Sequence, residues 1–292
     1  MKFLKQIIEN GELNRLPAEF GGDPIFSTPI IGVAVGNDLI FQKYKEVVGE
    51  KHLTPIEMWN GQKLNLLEKD NNLRVVSIVF PYVKKIRDAS ISQTKLPAEI
   101  YSVGRNYANE FIADVLEKSV KYFIDLGFEA IVPILSTPYN HVIRGKLYSN
   151  WSERHIAFAA GLGTFGLHEG LITELGCNVR FGSFITNATL EITPRKSDDP
   201  YANCLYYAKG TCKKCIERCP ANAISEKGHD KIACFIYEQK VARIMNKRLR
   251  GFLKPTLRKI DGKWEKHRPA VGCAFCQFGV PCMDKNPMAK FK

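Results

Sequence analysis

Residues 210–224 read GTCKKCIERCPANAI and set Cys212, Cys215 and Cys219 at C-x2-C-x3-C, with Pro220 directly after. This is most of the bacterial ferredoxin run C-x2-C-x2-C-x3-C-P. Two residues between thiolates let one tight loop reach two corners of an iron–sulfur cubane while its backbone N–H groups face the sulfides. The last cysteine of such a run leaves the loop for a second cluster. The proline ends the loop, so a helix over ANAIS (221–225) is expected to follow. A second half-motif lies downstream in GCAFCQFGVPC (272–282), where Cys273 and Cys276 form another C-x2-C pair.

Of nine cysteines, none precedes Cys177, and eight fall between Cys204 and Cys282. Two 4Fe–4S cubanes need that number of thiolates. The first cysteine of the ferredoxin run falls on Lys209, and its nearest substitute is Cys204. A C-P pair in the second half needs cysteine at Val280, whereas Pro281 here precedes Cys282. We therefore expect Cys204, Cys212, Cys215 and Cys282 on one cluster and Cys219, Cys234, Cys273 and Cys276 on the other. Both displaced ligands then belong to the first cluster. The competing reading, zinc held by Cys212/Cys215 and Cys273/Cys276, leaves four nearby cysteines unused. Cys177, in ELGCNVRF, reads as a buried core thiol.

The rest of the chain is ordinary in composition. Its 292 residues are 45% hydrophobic, 25% charged and 11% aromatic, which excludes disorder, collagen and small disulfide scaffolds. No stretch approaches about 18 uncharged apolar residues, so no membrane span is expected. The N-terminal MKFLKQIIENGELNRL is interrupted by Glu9 and Glu12 before an apolar signal core can form. A cytoplasmic location is expected, where thiols stay reduced. A net charge of +12 and a pI near 9.2 favour acidic partners: nucleic acid, an acidic redox protein or an anionic cofactor.

The polar segment PRKSDDPYAN (194–203) separates the cysteine-poor and cysteine-rich parts, which predicts domains over 1–195 and 196–292. The first part reads as mixed α and β. PIIGVAVG (29–36) predicts a strand, NDLIFQKYKEVVG (37–49) a helix, and HLTPIEMWN (52–60) a helix started by Thr54 and Pro55. NLRVVSIVFPY (72–82) predicts a buried β-branched strand. NYANEFIADVLEKSVKYFIDLG (106–127) predicts a long helix with Phe111, Val115, Leu116, Val120, Phe123 and Ile124 on its apolar face, closed by Gly127. FEAIVPIL (128–135) predicts another strand, SERHIAFAA (152–160) a helix capped by Ser152, and VRFGSFITN with ATLEIT (179–193) a pair of strands. The expected class is α/β (α+β): a sheet with helices on it, fused to a ferredoxin-like unit.

Gly161-Leu-Gly163-Thr-Phe-Gly166 fits G-x-G-x-x-G. The preceding residues read as a helix rather than a strand, and Thr186 stands where a ribose-binding acid belongs, so no dinucleotide site is expected. The glycines still require a close backbone approach, to packed elements or to a bulky cofactor.

WSERHIAFAAGLGTFGLHEGLIT (151–173) followed by RFGSFITN (180–187) resembles the core segment of epoxyqueuosine reductases and reductive dehalogenases. SVGRNYANE (102–110) is similar to their G-R-D-Y-H segment at Gly104, Arg105 and Tyr107, with Asn106 for the aspartate. VVSIVFPY (75–82) resembles their strand ending in Pro-Tyr, and the cysteine order matches too. The resemblance covers residues 75–292. It implies a nitroreductase-like core holding base-off cobalamin against Glu153, Ala160, Gly161, Leu162, Gly163, Gly166, Phe181 and Gly182. Beside it, a ferredoxin-like domain with two 4Fe–4S clusters would pass electrons singly to cobalt, generating Co(I).

Epoxyqueuosine reductases carry a catalytic aspartate shortly before the Glu153-Arg154 counterpart. GKLYSNWSER (145–154) has no acid before Glu153, and Leu147 stands near that position. The helical-repeat extension of those enzymes is not found before Lys292. Both departures favour a small organic substrate, with a bond cleaved reductively, over epoxyqueuosine in tRNA. Tyr107 and Tyr148 are then candidate proton donors, with Arg105 or Arg154 lowering the phenol. His155 reads as a helix residue, and His168 as lining the cofactor cavity. From Lys240 to Arg268 there are eleven Lys/Arg against Asp261 and Glu265. The ordinary reading of this basic run is a solvated face; docking of an acidic ferredoxin or flavodoxin comes next, ahead of RNA phosphate contact. The alternatives are a genuine epoxyqueuosine reductase and an iron–sulfur electron-transfer protein without cobalamin.

Overall fold

A computed structural model describes residues 2–9, 11–62, 73–142 and 146–291. In chain order it contains α1 (Lys2–Glu9), β1 (Ile30–Val35), α2 (Ile40–Val47), α3 (Pro55–Gln62), β2 (Arg74–Pro81), α4 (Lys84–Ala89), α5 (Glu99–Asp125) and β3 (Ala130–Ile131). There follow α6 (Glu153–Ala159), β4 (Gly163–Phe165), β5 (Leu171–Thr173) and β6 (Val179–Thr186). The cysteine-rich part adds α7 (Leu205–Lys209), α8 (Lys214–Arg218), β7 (Ile224–Ser225), β8 (Gly228–His229), α9 (Lys231–Arg248), β9 (Thr256–Ile260) and β10 (Lys263–His267). Asn72 of the expected central strand and Gly145 of the GKLYSNWSER stretch lie outside the described residues.

The central sheet runs β1-β2-β6-β3, with every neighbouring pair antiparallel. β2 is buried from Val75 to Pro81, as a strand must be when both faces of its sheet are covered. Val76, Ile78 and Phe80 pack in one cluster with Phe111, Val115 and Leu116 of α5. Val75 and Val79 pack in another with Ile156, Ala157 and Ala160, from α6 and its end. The sheet is thus the middle layer of a mixed α/β core. Apolar residues of the cysteine-rich part, Ile224, Val241, Met245 and Phe278, join the α5-side cluster.

Local signals account for the helices. Thr54 and Glu57 form a capping box: the Glu57 N–H donates to Thr54 Oγ1 (3.3 Å) and the Thr54 N–H to Glu57 Oε2 (2.8 Å). α5 begins at Glu99, seven residues before the expected start, and closes through Gly127 with φ +85°. Its expected apolar position Ile124 is exposed. At α6, Ser152 holds the N-cap position, but its hydroxyl bonds His155 Nδ1 (2.8 Å) rather than the helix backbone.

Four expectations are corrected. FEAIVPIL yields only the two-residue β3 before a 3-10 turn at Pro133–Leu135, because Pro133 has no N–H for the ladder. ATLEIT forms no strand; β6 pairs with β2 and β3, and Thr193 only touches the β1 edge, its N–H donating to Val33 O (2.9 Å). ANAIS forms no helix, since Asn222 turns through φ +50° and Ile224–Ser225 pair with Gly228–His229. The basic run is not wholly solvated: β9 and β10 form a hairpin docked on residues 136–141. Lys259 is buried there, its Nζ donating to Ser136 O (3.0 Å), and the His141 N–H donates to Lys259 O (2.8 Å). Among the described residues, no helix is long and apolar enough to cross a membrane.

Candidate functional site: two thiol clusters beside a buried polar layer

Cys204, Cys212, Cys215 and Cys282 line one narrow cleft, with Leu167, His168, Ile172 and Val280 among its other walls. The four thiols come from the α7 N-cap (Cys204), the loop before α8 (Cys212), α8 itself (Cys215) and the C-terminal turn (Cys282). They are the set expected for the first cluster, both displaced ligands included. Burial, with the neighbouring thiols Cys282, Cys204 and Cys212, pushes the Cys215 thiol up to about 12. Sulfurs crowded in this way do not ionise together without a cation between them. An iron–sulfur cluster fits that donor set.

The second set is assembled as well. Burial raises the Cys276 thiol well above its ordinary range, reinforced by Cys273, Cys234, Cys215 and Cys219. Cys273 likewise rises to about 12, through burial and the proximity of Cys234, Glu238 and Cys219. The Ala223 N–H donates to Cys219 Sγ (3.3 Å), and Ala274, between Cys273 and Cys276, is held at φ +55°. That left-handed alanine is backbone strain at the thiol loop. Cys273 and Cys276 thus lie among Cys219 and Cys234, and Cys276 also feels Cys215 of the other pair.

The core sheet carries polar groups in its most buried part. Ser77 and Ser183 face each other across β2 and β6. Trp151 Nε1 donates to Ser183 Oγ (3.0 Å), while Ser77 Oγ has no partner. Glu153 opens α6 beside them, with both carboxylate oxygens out of solvent and the Ser183 hydroxyl and N–H as their nearest, poorly aligned donors. Burial pushes its carboxyl up to about 7, and nearby Ser183 and the Arg180 charge oppose this only in part. A carboxylic acid placed this way can hold a proton at neutral pH and release it.

A second polar group lies where the sheet end meets the cysteine-rich part. Tyr82 OH, Ser102 Oγ, Arg105 Nη1 and Arg180 Nε are buried there without partners. The Tyr82 and Tyr101 rings meet edge-on at 5.5 Å, and Tyr101 meets Phe278 at 4.8 Å. A Cβ on Gly272 would sit 3.0 Å from Arg105 Nε, so the Cys273 loop presses directly on this arginine. Burial and the Arg105 charge lower Arg180 to about 10. Arg258, from the β9–β10 hairpin, adds another unpartnered buried nitrogen. Native proteins rarely bury so many unpaired groups, and a bound molecule with a polar rim is what such a layer fits.

The remaining expected site residues are accounted for differently. The close approaches of the glycine segment are met by the chain itself. A Cβ at Gly161 would lie 2.7 Å from Pro194 O, one at Gly163 2.5 Å from Ile172 O, and one at Gly182 3.0 Å from Ile112 Cγ2. Ala160 and Leu162 are buried in the α6-side cluster, and Phe181 packs against it. Tyr107 lies under the Lys254 ammonium, 4.5 Å from its ring centroid. Tyr148 packs on Gly49 and accepts from the Lys51 N–H (3.5 Å). His155 is the expected helix residue, with its ring 4.7 Å from Phe165. His168 lines the first thiol cavity. Reading Glu153 as an acid was missed from the sequence; the serine inside the run VVSIVF was the available signal.

Comparison with known proteins gives one consistent relationship. No family model matches the chain. It is 35% identical over 129 residues to an epoxyqueuosine reductase of Synechocystis sp., covering 43% of this chain and 37% of that protein. It is 27% identical over 213 residues to one from Bacillus anthracis, covering 71% of this chain and 47% of that protein. The chain thus matches less than half the length of these curated relatives. Among solved structures, a Bacillus subtilis epoxyqueuosine reductase aligns with a TM-score of 0.42 at 18% identity, over 98% of this chain and 70% of that one. A selenomethionine-labelled epoxyqueuosine reductase aligns with 0.41 at 17%, over 89% and 66%.

Proposed function

We propose that the chain, which is similar in sequence to epoxyqueuosine reductases, is an iron–sulfur oxidoreductase of that kind, carrying two 4Fe–4S clusters and a base-off cobalamin. The observation that carries the reading is the arrangement of Cys204, Cys212, Cys215 and Cys282 around one cavity, beside a buried polar layer that lacks partners. The proposed architecture is a nitroreductase-like core over 1–195 and a ferredoxin-like unit over 196–292. Cys219, Cys234, Cys273 and Cys276 hold the second cluster. Arg105, Arg180, Tyr82 and Ser102 contact the polar rim of the corrinoid or its substrate. When bound, the clusters supply single electrons at low potential and the corrinoid supplies a strongly reducing metal centre.

The chain's own residues supply protons and order. Reductive removal of an epoxide oxygen takes up two electrons and two protons and releases water. Glu153 holds one proton on its carboxyl near neutral pH and stands in for the aspartate absent near Leu147. It takes over the donor role first assigned to Tyr107 or Tyr148. The Trp151 indole fixes Ser183 beside it, and the apolar walls of α6 exclude water, so the proton passes to substrate rather than to solvent.

Two substrate readings follow: a small organic molecule, as the missing aspartate suggests, and epoxyqueuosine in tRNA, which the identity to the Synechocystis protein favours. Exposed Lys247, Arg248 and Arg250, at and beyond the end of α9, suit an acidic ferredoxin or flavodoxin as electron donor. Nine unpaired cysteines suit a reducing cytoplasm. Anaerobic reconstitution followed by metal analysis tests the reading: about eight irons and about one cobalt per chain support it, and about four irons reject the first cluster. Turnover of epoxyqueuosine-containing tRNA by the loaded protein decides between the two substrates.

A further inference from the structure

Cys282 has two sulfur- or nitrogen-bearing neighbours outside the expected ligand set. Cys177 Sγ lies 3.7 Å from Cys282 Sγ, and His168 Nε2 also lies 3.7 Å from it. Both neighbours are buried, at 2% and 5% exposure. The contact is built, not incidental. The Cys177 N–H donates to Cys282 O (2.8 Å) and the Asn178 N–H to Met283 O (3.1 Å), so two backbone bonds pin the start of β6 to the C-terminal turn. Gly176, at φ +83°, permits this, because a Cβ there would sit 2.4 Å from Met283 O.

The histidine is equally constrained. The Gly170 N–H donates to His168 Nδ1 (2.9 Å), so Nδ1 uses its lone pair and the neutral ring carries its proton on Nε2, facing Cys282. Gly166 and Gly170 leave room for the ring; a Cβ on Gly170 would lie 2.6 Å from Nδ1 and one on Gly166 3.1 Å from Nε2. The last glycine of the G-x-G-x-x-G segment thus serves a cysteine's neighbour. Cys177 does not line the thiol cavity, whereas His168 and Cys282 do.

We propose that His168 Nε2–H and Cys177 Sγ–H are paired hydrogen-bond donors to the Cys282 thiolate, and that they raise the reduction potential of the first cluster. Donors to a ligating sulfur withdraw charge from it and favour the cluster that has taken up one more electron. Neither residue acts on substrate; both position and tune a ligand. The inference rests on the cluster reading above.

The test is a redox titration of the anaerobically reconstituted chain, with dithionite as reductant and the reduced-cluster resonance as readout. Iron and zinc are counted in the same samples. His168→Asn keeps an acceptor for the Gly170 N–H but is too short to reach Cys282. Cys177→Ala removes the other donor, and His168→Gln returns an N–H near the Nε2 position. Expected are a downward shift of one cluster's midpoint in H168N and in C177A, recovery toward wild type in H168Q, an unmoved second cluster and unchanged iron. Unchanged midpoints in both single-donor variants overturn the proposal, as does loss of a cluster's iron in C177A, which would make Cys177 a ligand. Zinc bound by wild type and lost in both variants also overturns it. A wild-type chain that takes up no iron defeats the cluster reading itself; full iron with unshifted midpoints defeats this inference alone.

Discussion

Glu153→Gln is the substitution that most directly tests the polar layer. Gln keeps the shape and removes the ionisable proton. The Glu153 carboxyl titrates at about 7 in the folded chain against an ordinary 4.5. At about 1.36 kcal/mol per unit, holding this group ionised costs the folded chain about 3 kcal/mol. Because the folded-state value is raised, the native chain binds this proton more tightly than the unfolded chain. The cost is absent below about pH 4.5, grows as pH rises, and is complete above about pH 7. Urea unfolding of the metal-free chain under reducing conditions, from about pH 5 to about pH 8.5, reads this as a stability difference between variant and wild type. The variant is expected to gain on wild type as pH rises, by up to about 3 kcal/mol, with the steepest gain on the acid side of neutrality. A difference that does not vary with pH, or a variant that loses ground at high pH, would show that Glu153 is solvated or paired. Its use as a neutral-pH acid would then fall. On the proposed function, with the protonated form as donor, turnover by the loaded protein should decline as pH rises through about 7.

Other perturbations probe separate parts of the molecule. Cys204→Ser should cost the reconstituted protein about four of its irons and leave the other cluster's resonance intact, as should Cys282→Ser. Thr54→Ala removes the capping box at α3 and should lower stability by about 1 kcal/mol in denaturant titration. Gly32→Ala should destabilise by about 1–3 kcal/mol, since a Cβ there would lie 2.3 Å from Ala160 O, where α6 ends against β1. Charge reversal at Lys247, Arg248 and Arg250 should slow reduction by an acidic flavodoxin at low salt and flatten its salt dependence; an unchanged rate would move the docking surface elsewhere.

The parts of this fold readable in advance were those written in local chemistry. The VVSIVF run, the Thr54-Pro55 start and the apolar stripe of α5 each carry their signal within a few residues, and each formed its element. FEAIVPIL found an edge on β6 but stopped after two residues, because Pro133 has no N–H for the ladder, whereas ATLEIT failed because a β-strand needs a partner edge as well as an apolar composition. β6 already uses both of its edges, on β2 and β3, so ATLEIT had only the β1 edge to touch. The β9–β10 hairpin was hidden by its own charge. Its lysines read as a solvated run until Lys259 is seen capping the carbonyls of the 136–137 turn. That the cysteines gather was legible because ferredoxin spacing is a covalent ruler, and Cys204 and Cys282 line one cleft with Cys212 and Cys215. The acid at Glu153 was not, because its pKa is made by burial against β6, a strand distant in sequence.

One strand joins these features. β6 is preceded by Cys177 and Asn178, which are fastened to the C-terminal turn. It then carries Arg180 into the basic seam and Ser183 to the side of Glu153. From Cys177 to Ser183 is about 20 Å of extended chain, at about 3.3 Å per residue. The strand is held by ladder bonds to β2 along its whole length, so the turn carrying Cys282 and the buried acid are fixed to one rigid element. A substitution that loosens the 176–178 seam should therefore disturb both. Gly176→Ala, whose Cβ would meet Met283 O at 2.4 Å, is expected to lower iron retention of the first cluster and to shift the pH at which Glu153 titrates. An effect on iron alone would mean that the strand does not transmit the displacement, and that the thiol cluster and the polar layer are positioned independently.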